Sequence, residues 1–210
     1  MHSWICSTRR VGSALAAALG AATMALSLAP GSAQAALIST SACDSAALTQ
    51  PFAPWGDKNV YKLVPGGDFE GSMAGWTLSG GAGTIAGSEP FHATGSVGAQ
   101  SLRLPAGSSV QSPWTCVNAA YPTFRFFARN GGLASTVLVQ VVYRDTLGVQ
   151  LTLPVGIVAL GSTWQPTAPM LTGSAIPAAL SGGTAQIALK FTELTGSSQI
   201  DDVFVDPRCT

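Results

Sequence analysis

Apolar and polar residues alternate with a period of two in several stretches of this 210-residue sequence. The alternation is clearest in STVLVQVVYRD at 135–145 and in TAQIALKFTEL at 184–194. Successive side chains of a strand point to opposite faces of a sheet, so each stretch predicts a strand with one buried face. Shorter stretches of the same kind are QSLRLP at 100–105, PTFRFFARN at 122–130 and QIDDVFVD at 199–206.

Segments that contain glycine or proline separate these predicted strands, and the sequence has no long stretch with helical periodicity. A parallel sheet needs crossover connections that are usually helical, whereas antiparallel strands can be joined by short turns. The pattern therefore predicts the all-β class and, within it, an antiparallel β-sandwich of the jelly-roll type.

The first 35 residues have the three parts of a secretory leader. An arginine pair at 9–10 precedes an unbroken apolar stretch at 11–29, and Ala-Gln-Ala at 33–35 has the form of a cleavage site. A membrane anchor is the alternative, because the apolar stretch is long enough to span a bilayer. The alanine-rich composition favours a cleaved signal peptide over 1–35, and hence a secreted, extracellular protein with no membrane span after cleavage.

Removal of this leader leaves a chain long enough for one domain with a buried core. We predict an N-terminal extension over 36–58 and a sandwich domain over 59–210. This part has eight basic and ten acidic residues, a net charge of −2, which does not indicate nucleic acid as a partner. A disulfide between Cys43 and Cys116 would tie the extension to the domain, although the spacing leaves pairings with Cys209 open.

Glycine-rich and acidic motifs lie at both ends of the predicted domain. GGDFEG at 66–71 is followed by Gly-Trp at 75–76, GSVGAQSLRLP spans 95–105, and IDDVFVD closes the domain at 200–206. These motifs resemble those of the jelly-roll carbohydrate-binding modules of the galactose-binding-like superfamily, most closely families 4, 9 and 22. The resemblance implies a jelly-roll fold, a core position for Trp76 and a non-catalytic role in binding glycans.

The same resemblance implies a structural calcium ion. In such modules the glutamate of the Phe-Glu motif and an aspartate of the last strand help to hold calcium, which here implicates Glu70 with Asp201 or Asp202. Calcium binds six to eight oxygen atoms, including carboxylates and backbone carbonyls. The alternative is that Glu70 caps a turn, while Asp201 and Asp202 end a strand in water.

Basic residues fall on the strand faces opposite the main apolar set. If these faces converge on one sheet, they form a basic, glutamine-bearing surface suited to an anionic polysaccharide. The alternative is that exposed strand positions simply carry long polar side chains. Trp164 lies beside a turn and a proline, where exposure is favoured, although a tryptophan flanked by proline more often packs in the protein than binds a sugar. The candidate ligand-binding residues are Arg103, Arg125, Arg129, Gln140, Arg144 and Trp164.

Catalytic signals are weak in this sequence. His92 is the only histidine after the leader, and the G-x-S-x-G pattern of a nucleophile elbow does not occur. We therefore predict a secreted, monomeric domain that is not an enzyme and whose partner is a glycan or cell-surface polysaccharide. An extracellular structural or protein-interaction domain without a sugar site is the alternative.

Overall fold

The structure is a computed structural model in which five stretches of the chain are described. They belong to one compact unit and contain a short 3-10 helix, Ala53–Trp55, and thirteen strands. No helix among them has the length and hydropathy that crossing a bilayer requires. The predicted leader over 1–35 lies outside these stretches, as does Cys43. The described residues are 46–118, 123–132, 134–144, 149–172 and 184–206.

The strands are short near the N-terminal end of the fold and reach ten to twelve residues in its later part. In chain order they are β1 (Lys62–Leu63), β2 (Thr77–Ser79), β3 (Gly83–Ala86), β4 (Gln100–Pro105), β5 (Ser109–Gln111), β6 (Thr115–Asn118), β7 (Thr123–Asn130), β8 (Ser135–Arg144), β9 (Gln150–Leu160), β10 (Gln165–Pro166), β11 (Met170–Leu171), β12 (Thr184–Thr195) and β13 (Ser197–Asp206).

Two antiparallel sheets share these strands. Sheet I has the order β10-β7-β13-β4-β3, with β1 beside β13 and β11 beside β7. Sheet II has the order β2-β5-β12-β8-β9, with β6 beside β12. The all-β class and the antiparallel sandwich predicted from the sequence are therefore confirmed. The division of the chain into an extension over 36–58 and a domain over 59–210 stays a prediction.

The core lies between the two sheets and is built by the alternation seen in the sequence. Phe124 and Phe126 on β7 face Leu189 and Phe191 on β12, and the rings of Phe126 and Phe191 meet edge to face with centroids 4.9 Å apart. Burial of each such side chain contributes about 1.5–3 kcal/mol. Tyr143 packs in the same core, as its place among valines predicts.

A second apolar cluster covers part of the outer face of sheet I. The Phe52 ring stacks on Phe127 at 5.4 Å and meets Tyr61 edge to face at 5.0 Å, while Trp164 and Phe204 complete the cluster. Phe52 belongs to the segment 46–58, which runs before β1. This segment therefore shields from water one end of a sheet face that would otherwise be exposed.

The glycine-rich motif at 66–71 joins the start of the fold to its last strand. Gly67 donates its N–H to the Val64 carbonyl (2.8 Å) and accepts the Val203 N–H (3.0 Å), while Val64 donates to the Val203 carbonyl (2.9 Å). Trp76, which is 6% exposed, donates its indole N–H to the Pro65 carbonyl at 2.9 Å. Trp76 is therefore a core residue, as predicted.

Candidate functional site

The structure divides the six predicted ligand-binding residues between the two sheets. Because the outer faces of a sandwich point in opposite directions, these residues do not converge on one basic surface. Of the two interpretations of the basic residues, the single convergent face is therefore not formed, and these residues are scattered over two sheets. Sheet I or its flanking turn carries Arg103, Arg125, Arg129 and Trp164, whereas β8 of sheet II carries Gln140 and Arg144.

Two of these residues are buried rather than exposed. Arg125 donates its Nε–H to the Thr167 carbonyl and a terminal N–H to the Asp57 carboxylate, both at 2.7 Å, and its guanidinium lies 4.2 Å from the centre of the Phe52 ring. Trp164 is only 7% exposed because it packs in the aromatic cluster of sheet I. The prediction that Trp164 is exposed is wrong, and the Arg125 guanidinium is occupied by its protein partners.

Polar side chains cross the outer face of sheet II in one continuous line. Lys190 on β12 is the register partner of Gln111 on β5 and of Gln140 on β8, and Gln111 is in turn the partner of Thr77 on β2. All four are partly or fully exposed. We call these four residues the polar row; at the usual spacing of strands it is about 14 Å long.

A second line of hydroxyl side chains runs beside the polar row. Ser79, Ser109 and Thr192 are register partners on β2, β5 and β12 and also reach solvent. On another part of sheet II, the Arg144 guanidinium lies 4.2 Å from the centre of the Trp114 ring, so a cation covers this aromatic face. The outer face of sheet II thus offers many hydrogen-bonding groups.

A pocket of about 520 Å³ opens on the side of sheet I, between the segment 46–58 and a loop over 88–95. Its wall includes Pro51 and Phe91 together with His92, whose backbone has a φ of 60°. A left-handed backbone is uncommon for a residue other than glycine. The described residues that line the pocket include no second titratable group able to act with His92 as an acid–base pair.

Buried carboxylates hold this loop in place. Glu89 accepts the Ala93 N–H at 2.9 Å and also the Phe91 N–H, and Asp201 accepts the Ser88 hydroxyl at 2.7 Å and the Glu89 N–H at 2.9 Å. Burial raises the pKa of the Asp201 carboxyl above its usual range. The carboxyl oxygens of Glu89 and Asp201 therefore fix the loop 88–95 to the last strand through hydrogen bonds.

Asp202 adds a further carboxyl group to this acidic cluster. Burial, followed by repulsion from Asp201 and Glu89, raises the pKa of Asp202. Its backbone φ of 46° marks an irregularity in β13, where the register with β7 shifts between Asp201 and Phe204. Asp201 and Asp202 are 0% and 3% exposed, and the burial of these two neighbouring acids favours either a bound proton or a nearby cation.

Glu70 lies near this cluster but is itself exposed. Its Oε1 accepts the Ala99 and Gln100 N–H groups, each at 2.7 Å. A Cβ placed on Gly98 would lie 2.2 Å from Glu70 Oε1 and 2.9 Å from the Ser88 hydroxyl, so Glu70 and Ser88 flank Gly98. Ser88 in turn donates to Asp201, so Glu70 and Asp201 lie in one neighbourhood.

The side chains of Glu70, Asp201 and Asp202 do not by themselves form a complete metal-binding site. No group of three or more His, Cys, Asp and Glu residues in the described stretches has the arrangement to hold a metal ion. The Glu70 oxygen that faces the cluster already accepts two backbone amides. A calcium ion held by Glu70 with Asp201 or Asp202 therefore stays a prediction. Cys116 is buried in β6, and its pairing with Cys43 also stays a prediction.

Sequence reasoning missed two sets of residues at these sites. Glu89 carries no motif of its own, and only its buried contacts reveal that it holds a loop. Thr77 and Gln111 lie on strands of three residues, which are too short to show a period of two. One signal in the sequence could have identified the polar row. Gln140 and Lys190 are polar residues at outward positions of two long strands, and they are register partners.

The comparisons with known proteins give likenesses in structure. No protein-family model matches the sequence, and a search of curated proteins finds no similar sequence. The chain is similar to the xylanase Xyn10B CBM22-1–GH10 modules of Clostridium thermocellum, complexed with xylohexaose, at 15% identity and a TM-score of 0.49. That match covers 68% of this chain and 28% of the other, so this chain spans less than a third of the xylanase modules.

Two smaller proteins are matched over nearly their whole length. A xylan-binding domain of CBM22 is 19% identical, with a TM-score of 0.46 and coverage of 73% of this chain and 98% of that domain. TmCBM61, in complex with β-1,4-galactotriose, is 14% identical, with a TM-score of 0.44 and coverage of 70% and 98%. These neighbours are carbohydrate-binding modules, and none of these likenesses assigns a ligand or a role to this chain.

Proposed function

We propose that this protein is a non-catalytic binding domain for a polysaccharide, which it holds across the outer face of sheet II. The observation that carries the proposal is the polar row, in which partly or fully exposed hydrogen-bonding side chains lie in register on four adjacent strands. A line of this kind suits an extended chain of hydroxyl-bearing rings better than a compact ligand.

The chemistry of the polar row supports a ligand rich in hydroxyl groups. The amides of Gln111 and Gln140 can each donate and accept, Lys190 only donates, and the Thr77 hydroxyl does both. Trp114, a large aromatic side chain that could stack on a sugar ring, is covered by Arg144. We therefore expect hydrogen bonds, rather than stacking of sugars on aromatic rings, to supply most of the affinity.

Affinity electrophoresis tests the proposal directly. The protein is run through native gels that contain xylan, galactan or other neutral polysaccharides, and the retardation gives a dissociation constant. We expect Gln140→Ala and Gln111→Ala each to weaken binding about two- to tenfold, which is what loss of one neutral hydrogen bond costs. Gln165→Ala, which removes an exposed glutamine from sheet I, is the matched control and leaves binding unchanged.

Two results would contradict the proposal. One is the absence of retardation by every neutral polysaccharide tested, with melting curves that show a folded protein. The other is an equal loss of affinity in Gln165→Ala and Gln140→Ala, because the ligand would then not lie on sheet II.

Export is part of this proposal and rests on the leader pattern alone. The residues 1–35 combine a basic start, an apolar stretch and an A-x-A site, which supports cleavage and an extracellular location. N-terminal sequencing of the protein recovered from the culture medium should begin at Ala36. Recovery only from cells, with an intact N-terminus, would refute export.

A protein-interaction domain without a sugar site is the second candidate. The observation in its favour is β9, an 11-residue strand that pairs only with β8 among the described strands and exposes 63% of Ile157. An exposed strand edge can pair with a strand of another protein. Pro154 limits such pairing because proline has no N–H to donate. Sedimentation velocity of wild type and Ile157→Lys tests self-association; we expect both to be monomers.

A further inference from the structure

Two arginines flank a glutamine at the end of sheet I that the segment 46–58 leaves open. Gln199 on β13 is the register partner of Arg103 on β4 and of Arg129 on β7. Directly opposed residues on adjacent strands share one face, so the three side chains form a line about 10 Å long. We call these three residues the arginine row. They lie on the sheet opposite the polar row.

Arg129 is held in place by protein contacts but keeps donors to spare. Its Nε–H donates to the Gln199 side-chain oxygen at 2.8 Å, and its guanidinium carbon lies 5.1 Å from the centre of the Trp164 ring. No described residue accepts a hydrogen bond from its two terminal nitrogens. Stacking on an indole favours a fixed plane for the guanidinium, so these free donors have a defined direction.

A polar pocket of about 270 Å³ adjoins Arg129. It is lined by Arg129, Asn130, Gly131, Gly132, Ser162 and Gln199. No carboxylate is among the described residues that line this pocket, so none of them neutralises the positive charge of Arg129 there. The exposed Ser162 adds a hydroxyl group that can donate to an anion.

Arg103 brings a second positive charge to the same line. It is exposed, and its guanidinium has no hydrogen-bond or ion-pair partner among the described residues. Arg129 and Arg103 repel each other weakly across Gln199, and an anion placed between or over them would relieve this repulsion. Such an arrangement differs from that of Arg125 on the same sheet, whose charge is neutralised by Asp57.

We propose that the arginine row and its adjoining pocket bind the carboxylate or sulfate groups of an acidic polysaccharide. The planar fork of an arginine matches an oxyacid group in a two-point hydrogen bond, which a neutral sugar cannot accept with the same strength. Two arginines on neighbouring strands would engage successive acidic residues of one polymer. This site is independent of the polar row, so the protein would bind acidic and neutral chains on opposite faces.

The experiment compares acidic polymers with neutral forms of the same backbone. Polygalacturonate and its methyl ester differ in the free carboxylate, while dextran sulfate and dextran differ in the sulfate. We expect polygalacturonate, dextran sulfate or both to retard the full protein in native gels, and the neutral forms to do so much less. Binding of polygalacturonate would identify the anionic group as a carboxylate, and binding of dextran sulfate would identify it as a sulfate.

Substitutions locate the site on sheet I. Arg129→Gln and Arg103→Gln should each weaken binding of the acidic polymer about tenfold or more, because each removes charge-assisted hydrogen bonds. Lys58→Gln, which removes one exposed positive charge from the segment 46–58, is the matched control and should weaken it much less. Arg129→Lys keeps the charge but loses the fork, and we expect an intermediate affinity.

Three outcomes would overturn the proposal: retardation by neither acidic polymer, equal retardation by acidic and neutral forms, or a loss in Lys58→Gln as large as in Arg129→Gln. If Arg129→Gln lowers the melting temperature, Arg103→Gln decides the question, because its exposed side chain has no partner to lose among the described residues. Binding of neutral polysaccharide by Arg103→Gln should equal that of wild type, which separates this site from the polar row.

Discussion

Replacement of Arg125 by methionine should release the segment 46–58 from sheet I. Arg125 and Asp57 form an ion pair at 2.7 Å in which the side chains are 6% and 12% exposed, and Tyr61 donates its hydroxyl to the same Asp57 oxygen at 2.7 Å. Methionine can still pack over Phe52 but cannot neutralise the carboxylate or donate to the Thr167 carbonyl. The substitution thus removes charge and hydrogen bonds while it preserves much of the apolar volume.

The expected cost follows from the burial of the remaining partner. Removal of one member of a buried ion pair costs about 3–5 kcal/mol, because the other charge is left uncompensated. For a chain of this size each kcal/mol lowers the melting temperature by about 2–4 °C, so we expect a decrease of about 6–20 °C. Arg103→Met on the same sheet removes an exposed arginine that has no partner in the described stretches, and it should cost less than about 0.5 kcal/mol.

Chemical denaturation and limited proteolysis measure the two effects. Arg125→Met should lower the midpoint of denaturation and expose cleavage sites within 46–58, whereas Arg103→Met should do neither. A cost for Arg125→Met below about 1 kcal/mol, or one equal to that of Arg103→Met, would refute the claim that this pair holds the segment. The combination of Arg125→Met with Asp57→Asn should be less destabilised than the sum of the two single variants, because no unpaired charge remains.

The pH dependence of stability offers an independent check on the same pair. Burial alone would raise the pKa of Asp57, but hydrogen bonds from Tyr61, Arg125 and the Asn59 N–H outweigh it, so the pKa is lowered below its usual 3.8. A carboxyl group with a lowered pKa in the folded state stabilises the protein above about pH 4, and this contribution is lost as the pH falls through the folded value. Arg125→Met should lose less stability than wild type over that acidic range.

Three further predictions concern other parts of the fold. Gly67→Ala should destabilise the protein by about 1–3 kcal/mol in urea, because its Cβ would lie 2.9 Å from the Val203 carbonyl oxygen, whereas Gly71→Ala, with open space around it, should cost much less. Burial raises the pKa values of Tyr61 and Tyr143 to about 12, so stability should decrease as the pH rises from 10 to 12, and Tyr143→Phe should flatten that decrease in denaturation curves. Calcium at 1 mM should raise the melting temperature above that in chelator by about 5–11 °C if its dissociation constant is about 10 μM; equal temperatures would show that the acidic cluster needs no calcium.

The alternation in β7 shows what a period of two can predict. It correctly placed Phe124 and Phe126 in the core, and Arg125, Phe127 and Arg129 on the other face of the strand. It could not predict that this other face is itself covered at one end. Whether an outward side chain meets water depends on where a distant segment packs, and the pattern of one strand carries no information about that.

The pairing of strands could likewise not be predicted from the sequence. Arg103 and Gln140 each occupy an outward position, yet they belong to different sheets because β4 pairs with β13 and β8 pairs with β12. Long-range register is determined by the packing of the whole sandwich. β9 was also missed, because Pro154 and Gly156 interrupt its pattern; an edge strand tolerates both because one side of it needs no partner.

The position of β13 has a consequence for how the chain acquires its structure. β13 lies at the centre of sheet I and pairs with β1, β4 and β7, although it comes after all of them in the sequence. Until residues 197–206 have been synthesised, β4 and β7 lack the strand that lies between them. Folding must therefore wait for the late part of the chain, and contacts of such long sequence separation are typical of slow-folding proteins. Sheet I can therefore close only when β13 has been inserted between β4 and β7.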